Sequence, residues 1–222
     1  MSVLNEDLFD FLKELKANNS REWFQANKQR YEAEVREPLM EFIRQFEPHL
    51  EEISPYFLAI AKKSGGSMFR IHRDVRFSKD KSPYKTHASL HFRHENGKDV
   101  HCPGFYLHLE PGECFCGAGM WHPDSPSLRA VREAIVEKPI EWVKVSRSDA
   151  FETRGESLKR APRGFDPDHE LIDDLRLKDH VAVVKLTEKN VLGKDFLQNF
   201  VEHCGAMAPY VRFQCEALGQ PF

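Results

Sequence analysis

Apolar residues recur at helical spacing through the first quarter of the chain. Leu8, Phe11, Leu12 and Leu15 lie three and four positions apart, which gathers them on one face of a helix. Asn5 is its N-cap, and it runs to about Lys16. Ser20 is a second N-cap, and Trp23, Phe24, Tyr31 and Val35 behind it continue a buried stripe. Pro38 has no N–H to donate, so a kink or restart is expected there. Leu39, Phe42, Ile43, Phe46 and Leu50 then carry the stripe to about Ile53. A short apolar run over 56–61 reads as a strand or a turn of helix.

At Met68 the period changes to two. Phe69, Ile71, Val75 and Phe77 alternate with Arg70, His72, Asp74 and Arg76, and Arg73 breaks the apolar side. This predicts a strand. Ala88, Leu90 and Phe92 alternate with His87, Ser89 and His91 in a second one. Glu95-Asn96-Gly97 is a hairpin turn, and the chain returns as a strand from Val100 through GFYLHLE. Pro111-Gly112 turns it again into CFCGAGMW, where glycine inside a strand marks a bulge or the close approach of another group.

Helices resume with Asp124 or Ser125 as cap. Pro139 starts a further helix that reaches about Ser146, and Pro167 opens a short one ending near Leu177. Residues 180–186 form an apolar strand, and two final helices cover about 194–206 and 209–218. The expected fold class is α+β, an antiparallel β-meander of about four to five strands packed on one face by N- and C-terminal helices. The expected organisation is one domain over 1–222, with a helical part (1–53), the meander (56–121) and a helical part holding one further strand (124–222).

Charge changes this picture at one place. The chain as a whole carries a formal −3, but residues 70–87 hold six Lys/Arg against two acids. A near-neutral total argues against a dedicated duplex-DNA binder. Five cysteines without a CxxC indicate reduced thiols, hence a cytoplasmic protein. No apolar run approaches the roughly 20 residues of a membrane span.

The basic stretch suggests an anion-binding face. Arginine offers a planar fork to phosphate or carboxylate, and lysine a point charge. Arg70, Arg73, Arg76, Lys81, Lys85 and Tyr106, with Arg160 and Arg163 from the LKRAPRG segment, are the candidate ligand-binding residues. The partner expected is an anionic small molecule or a short nucleic-acid segment. Arg73 is expected at a bulge, or buried against Asp166 or Asp168.

If the protein is an enzyme, His87 and His108 are the candidate proton carriers for metal-independent acid–base chemistry. The alternative is a metal-dependent hydrolase. His87 and His91 lie roughly 13 Å apart on a strand, too far for one ion, so that site requires His87, His108 and Glu110 across neighbouring strands. A third alternative is a non-enzymatic interaction or scaffold protein. No GxSxG, HExxH or Rossmann glycine pattern is present, and no cofactor is expected. Nothing in the sequence indicates an oligomeric state.

Four blocks in order, REWFQANKQRYEAEVREPL, RIHRDVRFSKDKSPYKTH, GFYLHLEPG and LKRAPRGFDPDH, make the chain resemble the DUF2461 family over nearly its whole length. The resemblance implies motif positions rather than a chemistry. They are Arg70, Arg73, Asp74, Arg76, Phe77, Ser78, Lys81, Tyr84, Lys85 and His87, then Gly104, Tyr106, His108, Glu110, Pro111 and Gly112. The last block supplies Lys159, Arg160, Pro162, Arg163, Gly164, Phe165, Asp166, Asp168 and His169. His72 stands where the pattern implies Tyr, and Glu170 where it implies Pro.

Overall fold

The computed structural model describes residues 3–97 and 101–222. Helix α1 (Glu6–Ala17) buries Leu8, Phe9, Phe11, Leu12 and Leu15. Asn5 occupies its N-cap position, but its side-chain amide donates to the Asp7 carboxylate and accepts from no backbone N–H of the first turn. Helix α2 (Arg21–Ala26) starts at Ser20, whose hydroxyl accepts from the Trp23 N–H. Ser20→Ala should cost about 1 kcal/mol, read as a fall in melting temperature of roughly 2–4 °C; an unchanged melt would mean that the cap is energetically idle.

A single turn, α3 (Lys28–Arg30), passes into a π-helical stretch, Tyr31–Arg36, and then α4 (Glu37–Ile53). Pro38 is the expected disturbance. Its ring would crowd the carbonyl four residues back, and the wider π turn falls where that crowding would arise. Helix α4 then buries Leu39, Met40, Phe42, Ile43, Phe46 and Leu50.

The sheet is antiparallel throughout, in the order β1-β2-β3-β5-β4. Its strands are β1 (Ala88–Arg93), β2 (Gly104–Glu110), β3 (Glu113–Met120), β4 (Glu152–Arg154) and β5 (His180–Leu186). One face presents Ala88, Leu90, Phe92, Phe105, Leu107, Leu109, Cys116 and Ala182, all buried. Phe46 of α4 and Phe200 of α9 (Phe196–Ala217) pack 4.8 Å apart, and Phe46 lies 4.7 Å from Phe92 on the sheet. This is the α+β arrangement expected: helices cover one face and leave the other open.

Four expectations need correction. Among the described residues, 68–77 form no strand. Single bridges, Met68↔Leu90 and His72↔Tyr84, hold this segment to the sheet and to itself. Asp74 accepts from the Arg76 N–H and Asp80 from the Ser82 N–H, and such local bonds compete with a strand ladder. Val75 and Phe77 therefore leave the core, and Phe77 is 96% exposed. The two helices expected between 194 and 218 are a single one, α9. Pro209 forfeits one bond, while buried Met207, Tyr210, Val211 and Phe213 keep both sides docked. The short helix expected from Pro167 begins later, as α7 (Ile172–Arg176). Strand β4 and helix α8 (Glu188–Leu192), the latter held by a Thr187/Asn190 capping box, were not foreseen from periodicity. The expected strand start at Val100 lies outside the described residues. Helices α5 (Ser125–Glu137), capped by Asp124, and α6 (Pro139–Ser146) match their expectations. Among the described residues no helix is long and apolar enough to cross a membrane, and all five cysteines are free.

Candidate functional site

The open face of the sheet carries a cavity of about 600 Å³, within the usual size of small-molecule sites. Its floor is shallow in side chains because β2 and β3 place glycines in register. Gly104 faces Gly119, and Tyr106 faces Gly117, which in turn pairs with Val183 of β5. Phe69, Phe115, Trp121, Val181 and Val183 supply apolar walls. Between Phe115 and Gly119 the cavity follows the strand for roughly 13 Å. The glycines of CFCGAGMW mark the close approach expected of them: a β-carbon at Gly117 would lie 3.1 Å from the Ala182 carbonyl oxygen, and one at Gly119 would overlap that of His180.

One end is polar. Lys85, His87, Tyr106 and His108 all line the cavity. The hairpin register explains why they meet: Ser89 pairs with His108 and Ala88 with Leu109, so His87 falls opposite Glu110, and same-face neighbours are in reach across the two strands. The His87 and His108 rings lie 4.4 Å apart. His108 Nε2 is 3.5 Å and His87 Nδ1 4.0 Å from Glu110 Oε2. The other carboxylate oxygen, Oε1, accepts from Thr86 at 3.0 Å and from Lys16 at 3.5 Å. The Tyr106 hydroxyl lies 3.0 Å from His108 Nδ1.

Burial sets the charge states. It pushes His87 down to about 4, with help from neighbouring His108 and Lys85, and it lowers His108 against the pull of Glu110. Burial alone would raise Glu110, but bonds from Thr86 and His108 outweigh it and keep the group below the usual carboxylate range. Lys85 is lowered by burial and by the charge of Arg70; it lies over the Phe69 ring at 5.0 Å. Burial raises the Cys114 and Cys116 thiols to about 11 and about 12, which removes them as nucleophiles at neutral pH.

The remaining residues of the expected basic face do not line this cavity. Arg70 is exposed beside it. Arg73 pairs with Asp80, not with Asp166 or Asp168; Asp166 instead accepts from the Asp168 N–H in its own turn. Arg76 is tied to Asp74 at 2.6 Å, and Lys81 donates to the Val75 carbonyl. Arg160 and Arg163 are exposed in the segment between β4 and α7. Within residues 70–87 both carboxylates, Asp80 and Asp74, are taken by Arg73 and Arg76, so the segment's excess of positive charge stays in place but outside the cavity, apart from Lys85. Periodicity missed Arg154, which lines the far end of the cavity and pairs with Glu152 at 2.7 Å; its strand has only three residues. Phe69 was assigned to the apolar side of a strand, yet its ring turns to the open face.

No curated protein matches the sequence. A model of the family described as "Conserved hypothetical protein (DUF2461)" matches residues 7–213. With nearly the whole chain matched, the protein belongs to the DUF2461 family.

Proposed function

We propose that the protein binds a small anionic molecule with a flat apolar body in the cavity on the open face of the sheet. The observation that carries this reading is Lys85: a cation on the cavity wall, partly removed from water, with no carboxylate partner among the described residues. A buried charge without a counter-ion is costly, and a carboxylate or phosphate entering beside it removes that cost. Phe69, Phe115, Val181 and Val183 then take up the apolar body, and the cavity volume suits a small molecule better than a nucleic-acid strand. Burial keeps the His87 and His108 imidazoles neutral at pH 7, a state that accepts a proton from a ligand rather than delivering one, so an acid–base role for them is that of a base.

Thermal melts with chelator present test the reading, using benzoate, naphthoate, phenyl phosphate and inorganic phosphate as probes. An aromatic anion at 100 times its Kd should stabilise the fold by about 2.7 kcal/mol, a rise of roughly 5–10 °C. Inorganic phosphate should do less. Lys85→Ala should weaken binding at least tenfold, and Val183→Trp, which fills the floor, should abolish it. A rise that survives both substitutions, or no rise with any probe, removes the cavity reading.

A further inference from the structure

We propose that His87, His108 and Glu110 hold a divalent transition-metal ion, zinc by first choice, at the polar end of the sheet-face cavity. One ligand atom from each residue lies within 4.8 Å of the other two. A triangle with no longer edge has a centre at most about 2.8 Å from each corner, so modest side-chain rotation reaches the roughly 2.0–2.2 Å of zinc bonds.

The surrounding bonds are those a metal site needs. Thr86 and Lys16 hold Glu110 Oε1, which leaves Oε2 turned toward both imidazoles. Tyr106 stands at His108 Nδ1. When that nitrogen donates its proton to the phenol oxygen, Nε2 presents a lone pair to the ion, the outer support that ligating histidines usually have. Side chains here are also well enclosed: 12% exposed for His108, 19% for Glu110 and 27% for His87.

Two imidazoles and one carboxylate favour zinc, cobalt, nickel, manganese or iron over magnesium and calcium, which prefer all-oxygen shells. Three protein ligands leave a coordination position open, and His87 and His108 line the cavity, so that position is reached from it. A metal bound there supplies Lewis-acid activation of a water or of a ligand oxygen. The inference goes beyond anion binding and does not depend on it, since an ion needs no organic ligand.

The full-length protein, stripped by chelator and dialysed, would be titrated with Zn²⁺, with Co²⁺ as a visible reporter and with Mg²⁺. One Zn²⁺ or Co²⁺ per chain is expected, and no Mg²⁺. His87→Ala, His108→Ala and Glu110→Gln should each weaken Zn²⁺ affinity at least tenfold, while His203→Ala on α9 leaves it unchanged. Melts in chelator check that each variant is folded; Glu110→Gln keeps the shape of the side chain and serves if an alanine variant is not. No stoichiometric uptake by the wild type, or uptake that a folded ligand variant retains as fully as His203→Ala, overturns the site. Because the probe melts are run in chelator, loss of the metal site leaves Lys85-dependent binding standing, and the reverse also holds.

Discussion

Gly119→Ala is expected to destabilise the protein by about 4 kcal/mol, combining backbone strain with overpacking, and to lower the melting temperature by roughly 8–16 °C. Two independent facts produce this. Gly119 has φ +117°, a conformation that side-chain-bearing residues rarely adopt. A β-carbon there would also overlap the backbone carbonyl of His180, with the Gln214 amide 3.2 Å away. Neither neighbour can withdraw: His180 belongs to β5, hydrogen-bonded to β3 across this position, and Gln214 is buried on α9 and donates to the His180 carbonyl. Gly112→Ala is the matched comparison. Its φ is +84°, but nothing lies within 4 Å of the added carbon, so about 1 kcal/mol is expected from strain alone. Equal losses in denaturant melts of the two variants would show that close approach contributes nothing at Gly119.

That glycine also shows how far the sequence could be read. Its place in an otherwise regular strand pointed to close approach, and the neighbour is the adjacent strand and the helix beneath it. The pairing of Ala88–Arg93 with Gly104–Glu110 was legible for the same kind of local reason: alternation sets the faces, and His87, His108 and Glu110 then share one face across neighbouring strands. The basic loop was not legible. Its alternation resembled a strand, yet Arg73 finds Asp80 and Arg76 finds Asp74 within a few residues, so side-chain bonds rather than period decide its path. Pro209 misled for a related reason. Proline breaks an isolated helix, but burial on both sides of α9 outweighs one missing bond. Lys85 stood out only as one basic residue among six; what distinguishes it is its place on the cavity wall, partly removed from water.

Stability is expected to fall as pH drops from about 6.5 toward 4, before most carboxylates titrate. His180 is fully buried, and neither of its ring nitrogens has a hydrogen-bond partner among the described residues. Trp142 packs edge-on against its ring at 5.4 Å. Burial, with the nearby charge of Arg132, pushes its pKa from 6.5 down to about 4, and Asp174 and Asp179 offset this only in part. The folded state therefore favours the neutral ring. Below 6.5 the unfolded chain takes up a proton that the folded one refuses, so stability falls by about 1.4 kcal/mol per pH unit for such a group until the folded pKa is reached. The loss for His180 by pH 4 is on the order of 3 kcal/mol. His91, also lowered to about 4 by burial and by Arg93, adds to the slope in the same direction. Urea melts at pH 7.5, 6.0 and 5.0 measure it, with His180→Gln beside the wild type. Glutamine does not titrate, so the variant should start less stable at pH 7.5 and lose less between there and pH 5.0. Parallel curves for the two proteins would mean that His180 is protonated as readily folded as unfolded, and that its enclosure beside Trp142 and Gln214 admits charge.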